Sequence, residues 1–313
     1  MTAPIRLAIV GLGKIATDQH VPVITRSPKF KLVATVSRHA DPLASIPAFQ
    51  SIEDLIETGM AIDAVAICTP PQVRHDIAQA ALAQGWHCFL EKPPGATLSE
   101  VIALRDMARE KNCTLFASWH SQFADGIAPA RAWLQDKVIK AVRVTWREDV
   151  RVWHPGQTWI WQPGGFGVFD PGINALSILT KILPNPLLVT KSELLVPANL
   201  HAPIAALLTM RDRTGMVVQA DFDFRQEGPQ HWDIEIDTDG GPLKLANGGA
   251  TLSIDSREMS DSNTETNGEY AGLYRRFAEL VEAGQSDVDV APLRIVADAF
   301  LCGRFEKVDA FHE

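Results

Sequence analysis

The sequence predicts an α/β protein in two parts. A doubly wound parallel sheet is expected over residues 1–120, and an α+β domain with a large, mostly antiparallel open sheet over 121–313. Three observations carry this. The chain has 313 residues, too many for one ordinary core and few for three. Short apolar runs alternate with helical patterns as far as His120, as successive β-α units do. Beyond it apolar runs follow one another with little helix between them.

In the first part the strands are Ile5–Gly11, Lys31–Ser37, Asp63–Thr69, His87–Pro93 and Cys113–His120. Between them Lys14–Arg26, Ile52–Thr58, Arg74–Ala83 and Leu98–Lys111 carry apolar residues at helical spacing. Ser99 stands near the start of the last helix and Gly85 just past the end of the third. In the second part the strands are Ala141–Val150, Leu187–Val196, Ile204–Arg211, Gly215–Phe224, His231–Thr238 and Lys244–Asp255. Helical patterns cover Asp170–Lys181 and Tyr270–Ala283. A last one, Leu293–Phe305, has the period of a helix that could pack back on either domain, the first included.

Composition narrows the class. With 46% hydrophobic and 21% charged residues, no eighteen-residue apolar run and no basic leader, a soluble cytoplasmic protein is expected. The net charge of -9 disfavours a grip on nucleic acid or an anionic membrane, since both need clustered Lys and Arg. A small-molecule ligand fits better. Cys68, Cys88, Cys113 and Cys302 each lie in an apolar run without a C-x-x-C pair, and read as reduced core residues. With no Cys/His cluster and no HExxH helix, no metal is expected.

Gly11-Leu12-Gly13-Lys14-Ile15-Ala16 is G-x-G-x-x-A, directly after a strand and opening a helix. Gly11 permits the tight turn, Gly13 the approach of backbone to a pyrophosphate, and Ala16 close helix packing, with Lys14 and Ile15 at the helix N-terminus that faces the phosphates. That context makes the first domain a dinucleotide-binding Rossmann fold. The second strand ends at Val36-Ser37-Arg38, where an NAD-specific site would carry a carboxylate. A hydroxyl followed by a guanidinium suits a ribose 2′-phosphate, so NADP use is expected, with NAD also accepted. A solvated loop arginine is the alternative for Arg38.

Glu91-Lys92-Pro93-Pro94 sets a lysine at the carboxyl edge of the sheet, where a nicotinamide would lie. With the glycine motif, Thr69-Pro70 and His75, this resembles the Gfo/Idh/MocA oxidoreductase family over the whole chain. The resemblance implies Thr69, Pro70, His75, Glu91 and Lys92 at the cofactor and Lys92 as a catalytic cation. The family's second motif, D-x-G-x-H, corresponds to Asp170-Pro171-Gly172-Ile173-Asn174. Asparagine cannot act as a base near neutral pH, so the resemblance leaves proton transfer to Asp170, oriented by Asn174. Asp before Pro is also a common helix cap.

The strings EKPPGATL, WHSQFA, REDVRVWHPGQTWIW and FGVFDPGINALSI are similar to the family's aldose 1-dehydrogenases, which act on D-galactose and L-arabinose. They imply oxidation of an aldose at C1 to an aldonolactone, with D-fucose a further substrate, and sugar contacts from Lys92, His120, Glu148, Trp153, His154, Asp170, Asn174 and Trp232. Indole faces suit a pyranose ring and polar tips its hydroxyls. Trp86, Trp133 and Trp146 read as core. Other readings within the fold are a dehydrogenase of another sugar or polyol, a cofactor-retaining glycoside hydrolase, and a sugar sensor without catalysis. By analogy with the family a homodimer through the second sheet is expected, its strands LLTM and VVQADFDF being apolar enough to bury both faces.

Overall fold

Strand β1 (Ile5–Val10) loses its exposed positions after Arg6 and is buried from Leu7 to Val10, because strands and helices cover it on every side. The computed structural model describes residues 3–38, 40–259 and 268–312. Around β1 lie β2 (Phe30–Val36), β3 (Ala48–Phe49), β4 (Ala64–Ile67), β5 (His87–Glu91) and β6 (Leu115–Ser118). Their order is β3-β2-β1-β4-β5-β6, and every pairing is parallel. The order reverses between β1 and β4, and a crevice opens at such a point beyond the carboxyl ends of the strands.

The helices of this sheet are α1 (Val21–Arg26), continuing a π-helical turn over Ala16–His20, α2 (Ile52–Glu57), α3 (Pro71–Ala83) and α4 (Leu98–Glu110). The cap of α4 is Thr97, in a capping box with Glu100, not Ser99. Thr97 wins because its hydroxyl reaches the Glu100 N–H while that carboxylate returns to the Thr97 N–H.

Among the described residues the second sheet has nine strands: β7 (Ile139–Arg147), β8 (Leu188–Pro197), β9 (Ala205–Arg211), β10 (Val217–Asp223), β11 (His231–Thr238), β12 (Gly241–Ala246), β13 (Thr251–Ile254), β14 (Arg257–Glu258) and β15 (Gly303–Val308). They lie in the order β14-β13-β12-β11-β7-β10-β9-β8-β15. Among the described residues only β7 with β10 and β8 with β15 run parallel in it. Lys244–Asp255 is not one strand: Asn247–Gly249 turns it into the hairpin β12–β13, three successive positive-φ residues, Asn247, Gly248 and Gly249, making the bend. Helices α5 (Ile127–Leu134) and α7 (Phe169–Ile182) pack with this sheet, and the four-residue α6 (Val150–Trp153) follows β7.

By contacts the chain divides into two units, Met1–Trp119 with Tyr270–Asp289, and His120–Glu269 with Val290–Glu313. Helix α8 (Glu269–Ala283) thus clusters from Tyr270 onward with the first unit and not with the span 121–313. Its Tyr270, Tyr274 and Phe277 form one helix face, and Tyr274 stacks on Phe89 at 4.9 Å while Phe277 meets Phe116 and Phe30. The helical pattern read over Leu293–Phe305 also resolves differently. Helix α9 (Ala291–Leu301) packs with α7 and β8 in the second unit, and the chain then extends into β15. A side chain at Gly303 would stand 2.8 Å from both the Ala299 carbonyl and Leu194, so the strand enters there on a glycine. Cys302, at the end of α9, is exposed rather than core. Cys88 and Cys113 are buried and Cys68 half-buried.

The strands LLTM and VVQADFDF do not bury both faces. Leu208, Met210, Val218, Ala220 and Phe222 point to the helix-covered side, while Leu207 is 46% exposed beside Thr209, Gln219 and Asp221 on the other. The period-two alternation of an antiparallel sheet with one covered face accounts for this.

Candidate active site and dinucleotide cleft

In the first unit a cleft of about 440 Å³ is lined by Gly11, Ser37, Arg38, Thr69 and Pro70, with Gln50–Glu53, Val73 and Asp76 closing it. Gly11 sits at φ +92, and a Cβ there would come within 2.8 Å of the Thr69 nitrogen. Only glycine allows the turn and the approach of the β4–α3 connection together. A Cβ at Gly13 would meet nothing within 4 Å, which leaves the backbone open to a ligand. The buried Thr69 Oγ1 has no hydrogen-bond partner among the described residues. An exposed backbone, a polar atom awaiting a partner and an arginine over an open cleft together fit a dinucleotide.

Other expected cofactor residues are placed elsewhere. Lys14 is ion-paired with Asp18 along its own helix, Ile15 is partly exposed, and His75 Nδ1 lies 2.9 Å from Asp76. Glu91 faces the core, 3% exposed. Its Oε1 accepts from Tyr270 Oη at 2.8 Å and lies 2.9 Å from His20 Nε2, and its Oε2 accepts from the Lys92 backbone N–H at 2.8 Å. His20 Nδ1 lies 2.7 Å from Tyr274 Oη. Burial lowers the His20 pKa, but the Cys68 sulfur and Glu91 outweigh it and raise it to about 10.

Arg74, 2% exposed, donates to the carbonyls of Thr69, Glu91 and Pro93. It ties the floor of the cleft to the turn that carries Lys92. Sequence reasoning missed both His20 and Arg74. A signal existed: His20 shares a helix face with Ala16 and Ile24, and Arg74 with Ala78 and Ala81, all buried.

In the second unit the end of β7 and the start of α7 bring four expected residues together. Glu148 is 2% exposed. Its Oε1 lies 2.8 Å from His154 Nε2 and its Oε2 accepts from Trp232 Nε1 at 2.7 Å. His154 Nδ1 is 3.5 Å from Asp170 Oδ2. Asp170 does not cap its helix: the capping position is Val168, and Asp170 lies within the first turn, 3% exposed, where the helix dipole favours a carboxylate. Gly167, at φ +52, turns the chain into α7 where any Cβ would stand 2.3 Å from the Pro203 carbonyl.

Trp232 pairs across the sheet with Trp146 and stacks on it at 6.2 Å, while Trp153 meets Trp232 edge-on at 4.7 Å. Trp153 is 41% exposed and so offers a face. Trp146 and Trp86 are buried, as read from the sequence, and Trp133 is half-buried. Asn174 stands one turn beyond Asp170 on α7. His120 Nδ1 pairs with Glu269 at 2.6 Å.

Residues 5–118 match the GFO_IDH_MocA family, described as an oxidoreductase family with an NAD-binding Rossmann fold. The chain is 47% identical over 310 residues to a galactose 1-dehydrogenase of Pseudomonas fluorescens, covering 99% of each chain. It is 54% identical to a D-galactose-1-dehydrogenase of Rhizobium etli known from a crystal structure, with a TM-score of 0.94 and coverage of 100% and 99%. A 3-ketoreductase of Actinomadura kijaniata, solved with NADP and TDP-benzene, shares the fold at 17% identity, with a TM-score of 0.83 over 97% of this chain and 99% of its own.

Proposed function

Since the chain belongs to the Gfo/Idh/MocA family of NAD-binding oxidoreductases, we propose that it is an aldose 1-dehydrogenase that oxidises D-galactose at C1 to the aldonolactone, with L-arabinose and D-fucose as further substrates. The observation that carries this reading is the grouping of Asp170, His154 and Glu148 with the indoles of Trp232 and Trp153. A buried carboxylate is there to take a hydroxyl proton, and aromatic faces are there to seat a pyranose. Likeness over the full chain to two galactose dehydrogenases weighs against the hydrolase, sensor and polyol readings.

Asp170 takes the C1 hydroxyl proton, Asn174 orients it or the sugar, and the Lys92 ammonium steadies the developing oxyanion. His120, Trp153 and Trp232 contribute sugar contacts. A bound nicotinamide dinucleotide supplies the two-electron acceptor. Gly11, Gly13, Ser37, Arg38, Thr69 and Pro70 would hold it. Ser37 and Arg38, in place of a carboxylate, favour NADP while leaving NAD usable.

The purified protein is mixed with D-galactose, L-arabinose, D-fucose, D-glucose and D-xylose, and nicotinamide reduction is followed with each dinucleotide. Turnover is expected on the three galactose-configured sugars, faster at low cofactor with NADP. Silence on all of them would overturn the assignment.

The finer setting is also proposed. No helix of the described residues is long and apolar enough to cross a membrane; a cytoplasmic setting is proposed on the ground that the reaction draws on a nicotinamide dinucleotide, and activity confined to a membrane fraction would refute it. Two copies are proposed to pair through the helix-free face of the second sheet, where Leu207 lies between the ion pairs Lys191–Glu193 and Arg147–Asp221 of its neighbouring strands. Light scattering that gave a monomer mass would refute the dimer.

A further inference from the structure

We propose that His154 relays the proton Asp170 removes from the substrate, so that the working base is a Glu148–His154–Asp170 chain rather than one carboxylate. The inference rests on the aldose dehydrogenase reading and deepens it.

Asp170 must lose, in every turnover, the proton it has taken, yet its side chain is 5% exposed. Asn174, the polar neighbour one turn along α7, has no titratable group. His154 does, its side chain is 14% exposed, and its Nδ1 lies 3.5 Å from Asp170 Oδ2. That separation exceeds a hydrogen bond, as such contacts often do before substrate is bound.

The tautomer follows from Glu148. A buried carboxylate only accepts, so the hydrogen of the neutral ring sits on Nε2, 2.8 Å from Glu148 Oε1. The lone pair is then on Nδ1, which faces Asp170. Glu148 is itself held, by Trp232 at one oxygen and through its backbone N–H to the Asp223 carbonyl at 2.9 Å. The His154 backbone N–H donates to the Val150 carbonyl at 2.8 Å, and the ring lies 5.4 Å from Phe224. Glu148 from the end of β7 and Asp170 from α7 face it with carboxylates, and the ends of β10 and β11 present Phe224 and Trp232.

In the step, the C1 O–H bond breaks and its proton passes to Asp170 Oδ2. The C1–H bond breaks and its electron pair leaves with the hydrogen to the oxidised nicotinamide dinucleotide, and C1=O forms. Asp170 hands its proton to His154 Nδ1. The ring, now an imidazolium between two carboxylates, releases it to solvent. His154 acts through Asp170 and is a positioning and relay residue.

The test is His154→Gln, whose amide still donates to Glu148 but cannot take a proton. With D-galactose and NADP, kcat should fall about a hundredfold, with KM for the sugar and Kd for the dinucleotide changed by less than about threefold. Wild-type kcat should fall on the acid side as the ring fills, and the variant should lose that limb. Without turnover, long-range proton–nitrogen spectra, with His154 assigned by its loss in the variant, should show Nε2 protonated and Nδ1 bare at neutral pH. If the variant fails to fold, Glu148→Gln, which reverses the tautomer, should lower kcat while sparing KM. An unchanged kcat, a loss confined to KM, or a protonated Nδ1 at neutral pH overturns the relay while wild-type turnover keeps the dehydrogenase reading. A wild type silent on every aldose overturns both.

Discussion

His20 Nε2 and Glu91 Oε1 lie 2.9 Å apart in the core of the first unit, with side-chain exposures of 0% and 4%. The other oxygen of Glu91 holds the Lys92 N–H, so the buried pair sets the turn on which the lysine stands.

A pH prediction follows. Burial would lower the His20 pKa, but Cys68 and Glu91 raise it to about 10, above the unfolded value of about 6.5. The stabilisation is therefore complete below about pH 6.5 and is lost as pH rises towards 10. Thermal unfolding should show Tm falling across that window. His20→Gln, which leaves Glu91 without its cation, should cost about 3–5 kcal/mol at neutral pH and flatten the slope. An equal slope in wild type and variant would contradict this.

The two glycines of the first loop should fail in different ways. Gly11→Ala meets a positive φ and the Thr69 backbone at 2.8 Å, and should cost at least about 1–2 kcal/mol, read as a lower Tm without ligand. Gly13→Ala meets nothing within 4 Å. It should leave Tm unchanged while weakening dinucleotide binding about tenfold or more, because its methyl would occupy the ligand's space. Equal losses of Tm in both would remove Gly13 from the cofactor site.

The core of this fold was legible because its parallel strands carry continuous apolar runs, as in Ala64–Ile67, and because the glycine motif lies where a first βα turn must be. The return of α8 to the first unit was not. Its periodic face says that Tyr270, Tyr274 and Phe277 are covered, not by which sheet. The same limit hid β15, since Gly303–Val308 alternates too weakly after a true helix to stand out. In the sites, local motifs were readable and long-range partners were not: Glu91 reads as a cofactor residue beside Lys92 until His20 and Tyr270 are seen to hold it.

Arg38 is exposed at the end of the cleft, beyond Ser37. Arg38→Ala should weaken NADP about tenfold to a hundredfold, the worth of a charge-assisted contact to the 2′-phosphate, and leave NAD within about twofold. Equal effects on both, by fluorescence titration, would return Arg38 to the solvated loop.

Asp170→Asn and Lys92→Ala separate binding from chemistry. Each should lower kcat by about two to four orders of magnitude, with dinucleotide Kd held. Near-normal turnover in Asp170→Asn would remove it as the base.

Trp153 and Trp232 touch at 4.7 Å, yet their substitutions should diverge. Trp153 is 41% exposed, so Trp153→Ala removes a face that sugar would cover and little that the folded chain needs. KM for D-galactose should rise about tenfold, within the ~0.5–1.5 kcal/mol of an aromatic contact beyond area burial, with Tm unchanged. Trp232→Phe keeps a ring against Trp146 but removes the N–H that satisfies Glu148 Oε2. A buried carboxylate oxygen is then left without its donor, at a cost of about 1–3 kcal/mol, so Tm should fall before KM does. If Trp153→Ala lost stability and Trp232→Phe did not, the indole exposed to sugar and the indole that holds Glu148 would have to exchange roles.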